Sequence, residues 1–414
     1  MLESGYFKKV RILLGKLTKY TFLDAYRIFD AKLCVGHRNK LGNAKYHAPH
    51  RSGKSNTKAG ADLEEFRSLS ERLKSTNNKE NVYIEQENTH SLSISCQSPQ
   101  IAEYYNVYYH PDYRCLFTEE GCRIESSFAS SWIKTTPVKI EPPEKCKVID
   151  KPFLYIGAFE TYHYGHFIVE GISQLWALAE NNGLPVFYAN WMNALKKVFL
   201  RREKSYIDEL MSYMPLSRDN LYYSDQLIKF TKIRIPQPTS VFGVKILNHH
   251  RLVPEYIAQK VIERNGGLNP PRYDTIYLSR SKLKDGFRSI TNESELEERL
   301  RAKGVEIVYP ETLTLSQQIM LFNSCKNIIG VQGSALHNIL FVIRADVNVY
   351  TICSKKTWLG TFQMIDEIKE SQLTNTYIYT LDSDSSDESE EWRQDKIIDV
   401  EATMAELSKS GLFD

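Results

Sequence analysis

The stretch Asn327-Ile328-Ile329-Gly330-Val331-Gln332-Gly333-Ser334-Ala335-Leu336-His337-Asn338 joins an apolar run to a glycine turn and then to a segment able to form a helix. Its first half has the composition of a strand covered on both faces. Glycines at 330 and 333 break that strand and let backbone come close to a neighbour. A helix starting at Ser334 would aim unpaired N–H groups and its positive dipole end at the same point. This pattern makes an anion cradle, although α/β strands also end in such turns for packing alone. Arg280, Lys282, Lys284 and Arg288 follow a second apolar strand, Thr275 to Leu278. These forked or mobile cations near the same sheet edge suit a diphosphate better than a carboxylate.

Outward from this turn, apolar periods of two and of 3.6 residues alternate. A helix is expected near Pro254 to Arg264, and another from Glu293 to Lys303, capped by Asn292 with Glu295 and closed by Gly304. A strand Val305 to Tyr309 follows, then a helix Leu315 to Cys325 capped by Thr314 with Gln317, and a strand Val347 to Cys353 after the cradle. Strict alternation with apolar strands implies a parallel sheet covered on both faces. An earlier unit has a strand from Phe153 to Gly157, helical periodicity from Tyr164 to Glu180, and a strand from Pro185 to Tyr188. It continues with a long helical pattern from Asn193 to Met214 and a strand near Leu221 to Tyr223. Ile233 to Pro238, with two prolines, reads as a hinge. The expected fold is therefore α/β: two Rossmann-like units facing across a cleft, with a β-rich extension from Leu63 to about Trp132. The boundaries expected are a basic segment and tether at 1–60, a first domain at 61–238, a second at 239–381, and an acidic loop with a final helix at 382–414.

With 414 residues, 42% hydrophobic and 25% charged, the chain is globular and long enough for two or three folded units. Its seven cysteines show no C-x-x-C pair, and Cys325 and Cys353 fall in apolar periods as buried small hydrophobes. No run of about 18 apolar residues occurs and no secretory signal is read at the N-terminus, so a cytoplasmic location is expected. Residues 1–60 hold 13 Lys/Arg against 3 Asp/Glu. There Tyr6, Val10, Leu13, Leu14 and Leu17 share one helical face, ringed by lysines and arginines. Such a helix can lie on an anionic membrane through residues 1–35, on the inner face of the cell membrane, or dock on the protein's own body. No recognition module accompanies the basic stretch, so a nucleic-acid partner is not expected. Asp382 to Glu391 holds six acids in ten residues and reads as a solvated loop without chemistry.

The second informative cluster is Thr161 to Gly171, TYHYGHFIVEG. His166 and Glu170, four apart, share a helix face and can hydrogen-bond. A carboxylate that holds imidazole in one tautomer raises its basicity, as a general base acting on a hydroxyl requires. His163 is a nearby substitute. The same spacing also serves a histidine that packs a helix start beside a structural carboxylate. No H-E-x-x-H or three-ligand spacing appears, so no metal site is assigned, although a divalent cation is compatible with the chemistry. No G-x-S-x-G elbow exists, which disfavours a serine hydrolase.

Tyr164-Gly165-His166-Phe167 with Glu170, Leu278-Ser279-Arg280, Arg288-Ser289-Ile290-Thr291-Asn292-Glu293, Val305 to Pro310, and Gly330 to Asn338 together resemble the family 61 glycosyltransferases, over roughly Phe153 to Cys353. The family's cradle usually reads His-Gly-Ala-Gly-Leu-Thr-Asn. Here it reads Gln332-Gly333-Ser334-Ala335-Leu336-His337-Asn338, matching at Gly333 and Asn338 and departing at Gln332, Ala335 and His337. The resemblance implies two Rossmann-like domains of GT-B type, inverting chemistry and a nucleotide-sugar donor. No cofactor is implied, and bacterial relatives often build capsule or lipopolysaccharide. On this reading Arg280, Arg288 and Gly333-Ser334-Ala335 take the diphosphate of a donor, a UDP-sugar by preference. Lys282, Asn292, Glu311, His337 and Asn338 complete the donor set. His166, oriented by Glu170, would act on a glycan or glycolipid acceptor. Two rival classes are a nucleotide-sugar-binding subunit without catalysis and a sugar-phosphate transferase.

Overall fold

In the parallel sheet that carries the glycine turn, the strand order is Glu306–Val308, Thr275–Leu278, Asn327–Val331, Val347–Cys353, Leu373–Tyr379. All four pairings are parallel. This computed structural model describes residues 57–75, 82–84, 92–95, 97–127, 137–158, 164–189, 206–216, 218–268, 273–283, 289–355, 359–383 and 395–413. Adjacent residues of the central strand serve different cores. Ile328 joins a cluster with Tyr256, Ile257 and Leu340, whereas Ile329 joins one with Leu296, Leu300 and Leu407. The sheet is thus buried on both sides, by helix Leu252–Arg264 on one and by helices Glu293–Ala302 and Val400–Lys409 on the other.

A second sheet is mixed, with strands Cys115–Phe117, Ile101–His110, Ile228–Pro236, Phe153–Ala158, Val186–Ala189 and Leu221–Tyr222 in that order, and Lys147–Ile149 also paired to Ile228–Pro236. The last four strands of that order run parallel to one another, while Ile101–His110 pairs antiparallel with both of its neighbours. The expected hinge at Ile233 to Pro238 is therefore overturned. Ile228-Lys229-Phe230 and Ile233-Arg234-Ile235 each alternate apolar and polar as a half-buried strand does, on either side of a phase shift at Thr231-Lys232, and Pro236 stands at the last position, where a missing N–H costs no internal ladder bond. The β-rich stretch is corrected in two ways. Ile101–His110 is integral to the mixed sheet, and Thr57–Ser75 is a helix whose Phe66, Leu69 and Leu73 are buried at helical spacing. Phe66 meets Tyr256 edge-on, with ring centroids 4.8 Å apart.

The single helix expected over Tyr164 to Glu180 is broken into three. Tyr164–His166 is α, Phe167–Gly171 winds as a π turn closed by Ile172 N–H to Phe167 O at 3.2 Å, and Leu175–Glu180 is a 3-10 helix. A Cβ on Gly171 would lie 2.8 Å from Phe167 Cδ2, so the wide turn closes only on a glycine. Of the Asn193 to Met214 helix, Tyr206–Met211 is helical and residues 193–205 lie outside the described set. Also outside it are the basic helix and tether at 1–56 and most of the acidic tract, 384–394. A four-stranded sheet of Val82–Ile84, Leu92–Ser95, Lys245–Leu247 and Ser240–Val241 completes the molecule's main sheets. No described helix is long and apolar enough to cross a membrane.

Candidate functional site

Leu278 and Gly330 are register partners at the C-terminal ends of adjacent parallel strands, so Ser279-Arg280-Ser281 and Gln332-Gly333-Ser334 leave the sheet side by side. A Cβ on Gly330 would lie 3.1 Å from the Leu336 side chain, so the returning chain passes close over this position. Gly333 is extended, with φ 173° and ψ 179°, a conformation open to any residue. What matters there is space: its Cβ position lies 3.5 Å from Arg280 Nη1. The expected helix after the turn forms as a 3-10 helix, Ser334–Phe341.

The Arg280 loop is held by two carboxylates one turn apart on helix Glu293–Ala302. Glu293 Oε1 accepts from Arg280 N and from the Tyr277 hydroxyl, both at 2.9 Å. Glu297 Oε1 accepts from the hydroxyls of Ser279 and Ser281, both at 2.6 Å. Burial pulls the Arg280 guanidinium below its usual range, against the fields of Glu293 and Glu311. Burial also pushes the Glu293 carboxyl up. Exposed Lys282 places its ammonium 3.6 Å from the Tyr309 ring centroid. Asn292 forms no cap, contrary to expectation. Its side-chain amide donates to Ile398 O at 2.8 Å and accepts from Ile398 N at 2.9 Å, and this pairing with strand Lys396–Ile398 replaces the capping bond. The Thr314–Gln317 capping box does form. Arg288 and Lys284 lie outside the described residues.

On the mixed-sheet side, His166 Nδ1 is 2.8 Å from Glu170 Oε2, and Glu170 Oε1 accepts from Phe242 N at 3.3 Å. Both side chains are buried, His166 with 4% and Glu170 with 2% of its surface exposed. His163 lies outside the described residues. With Nδ1 on the carboxylate, the proton-accepting nitrogen of a neutral His166 ring is Nε2.

The two motifs meet at Gly165. A Cβ there would lie 2.6 Å from His337 Nδ1 and 3.0 Å from Ser334 Oγ, so the histidine-bearing turn rests directly on the helix after the cradle. One residue earlier, the Tyr164 hydroxyl donates to Asn338 Oδ1 at 2.5 Å. Asn338 Nδ2 donates in turn to Gln318 Oε1 at 2.7 Å, and the Gln318 amide donates to Pro310 O at 3.0 Å. Asn338 is thereby a strut between the two motifs. Gln332, Gly333, Ser334, Ala335 and Arg280 remain partly exposed, whereas His166 and His337 are buried.

Residues 164–353 match the model of the glycosyltransferase 61 family. The family 61 match begins at Tyr164 and ends at Cys353, so it takes in both motifs and the parallel strands between Thr275 and Cys353. A comparison with curated proteins gives no match.

Sequence reasoning missed Phe242, Glu297, Gln318 and Phe362. Glu297 had a local signal, its i,i+4 spacing from Glu293; the other three reach the site only through tertiary packing. Cys325 and Cys353 are buried as expected, and burial pushes their thiols up to about 11 and about 12. Among the described residues, no group of three or more His, Cys, Asp or Glu side chains is gathered as for a metal ion.

Proposed function

We propose that the protein is an inverting glycosyltransferase that moves a sugar from a nucleotide-diphosphate donor, a UDP-sugar by preference, to a hydroxyl of a growing surface polysaccharide or glycolipid. The observation that carries this reading is the contact of Gly165 with Ser334 and His337, which brings the histidine motif and the glycine turn, within the family 61 match, to one junction. Arg280 on one side of that junction would neutralise the departing diphosphate, with the Gly333-Ser334-Ala335 turn offering backbone N–H groups. His166, oriented by Glu170, would take the acceptor's proton from the other side. In this reading the mixed and parallel sheets are the two halves of a GT-B type pair, and their relative motion opens a path to His166. Lys282, Glu311 and Arg288 would sit around the donor, and the basic segment 1–35 would hold the enzyme on an anionic membrane.

A thermal-shift series with nucleoside diphosphates and their sugars tests the donor assignment, because a ligand that binds only the folded state raises Tm by mass action. His166→Ala is expected to lower turnover by about 10²- to 10⁴-fold with nucleotide affinity retained. Arg280→Ala is expected to weaken nucleotide binding on the order of 10- to 100-fold, the loss of charge-assisted hydrogen bonds. Full turnover in the histidine variant removes the base assignment, and undiminished affinity in the arginine variant removes the diphosphate contact. The 4% exposure of His166 favours a second reading, a nucleotide-sugar-binding subunit without transfer. Donor binding with no product on any acceptor selects it, and release of a nucleoside monophosphate selects a sugar-phosphate transferase.

A further inference from the structure

Phe242 stands at the tip of a hairpin in which Ser240–Val241 pairs with Lys245–Leu247 and the chain turns through Gly243 at φ 68°. The hairpin is anchored on both sides. Its return strand runs parallel to Leu92–Ser95, and Thr239, just before it, donates both its N–H and its hydroxyl to Ser173 O, at 3.0 and 2.8 Å. The anchored tip delivers two separate groups to the histidine cluster. Its backbone N–H takes the Glu170 oxygen that does not hold His166. Its ring lies 4.5 Å from the His166 ring centroid, tilted by 46°, and 6.5 Å edge-on from His337. His337 stacks in turn on Phe362 at 4.8 Å.

A neutral imidazole beside a carboxylate keeps its proton on the nitrogen facing that carboxylate only while water does not compete for either group. The backbone N–H on the other oxygen is present whatever residue stands at 242; what the phenylalanine side chain adds is an apolar ring packed on His166, which keeps competing water away from the bond. We propose that Phe242 is a positioning residue, fixing the Glu170–His166 pair and the His337 ring in one arrangement at the junction of the two motifs. Its consequence for catalysis rests on the glycosyltransferase reading; the positioning itself does not.

The test uses the full chain labelled with 15N-histidine, with His166 assigned through His166→Gln, in wild type, Phe242→Ala, Phe242→Leu and Phe242→Tyr. Imidazole nitrogen shifts are expected to show His166 in the Nδ1–H tautomer in wild type, a mixture of tautomers in the alanine and leucine variants, and recovery in the tyrosine variant. In a transfer assay the alanine variant should lose on the order of 10- to 100-fold in kcat with donor KM unchanged, the signature of misplacement rather than lost binding. An unaltered tautomer in both Phe242→Ala and Phe242→Leu overturns the proposal, as does a change confined to KM. A tautomer shift in a chain that transfers no sugar keeps the positioning and removes the catalytic reading. Should the alanine variant not fold, the leucine variant decides alone.

Discussion

The parallel sheet and the mixed sheet reach the same junction by different means. At the parallel sheet the site follows directly from strand ends: Arg280 and Gly333 each come two residues after a strand, and two carboxylates of the next helix lock the loop. At the mixed sheet the histidine lies on a short helix that passes into a π turn, and its second support arrives on a hairpin more than 70 residues later. The first arrangement is local and depends on backbone. The second is a network of buried side chains, where each partner is costly to remove.

The sharpest way to break this contrast is to disturb the packing behind the parallel sheet. Lys369 is fully buried with its ammonium 2.8 Å from Glu255 Oε1, and Arg251 Nε is at the same distance. Burial would push the Glu255 carboxyl up, yet the two cations hold it below its usual range. Glu255→Ala leaves a buried ammonium uncompensated and should cost about 3–5 kcal/mol in urea unfolding. A loss too small to measure would show that the buried ammonium finds another partner.

Acid titration sharpens the comparison further. Burial lowers His249 to about 4 and His250 to about 3, so the unfolded chain takes up protons below pH ~6.5 while these rings stay neutral in the fold. Stability is lost as pH falls through that window. Asp366, which burial raises to about 6 despite hydrogen bonds from Tyr377 and Asn375, works in the opposite sense between pH 6 and its unfolded value of about 4. These three groups together leave a net difference of about one proton, or on the order of 1.4 kcal/mol per pH unit between pH 6 and 4. Asp366→Asn should steepen that slope, and a flat stability profile would contradict the burial of the histidine pair.

Gly165→Ala strikes the junction itself. Its methyl group must displace a His337 ring that is stacked on Phe362, at about 1–3 kcal/mol in stability, together with weaker nucleotide binding. Unchanged Tm and nucleotide affinity would mean that the two motifs part without consequence. The smallest effect is expected at Glu209, whose carboxylate accepts from Leu315 N at 2.9 Å and Ser316 N at 3.0 Å at the start of helix Leu315–Ser324. Since the Thr314–Gln317 box still caps that helix, Glu209→Ala should cost about 1 kcal/mol in the same unfolding assay.

The parts legible in the sequence were those whose signal is local. Strands Thr275–Leu278, Asn327–Val331 and Val347–Cys353 lie where their apolar runs place them, and the Thr314 cap and Gly304 stop form as their spacing predicts. The misreadings have physical causes. Prolines at 236 and 238 and the phase shift at Thr231-Lys232 masked a central strand, and the helical period after Tyr164 could not reveal a π turn closed by Ile172 N–H on Phe167 O.

By itself, then, the sequence determined the strand ends, the glycine turn, the run of cations and the four-residue spacing of His166 and Glu170, because each depends on neighbours within a few residues. Only the tertiary structure decided that Tyr164 reaches Asn338 across 174 residues, that Phe242 takes Glu170's second oxygen, and that His166 is buried. Such contacts arise from how sheets and helices pack against one another, and no local periodicity encodes that.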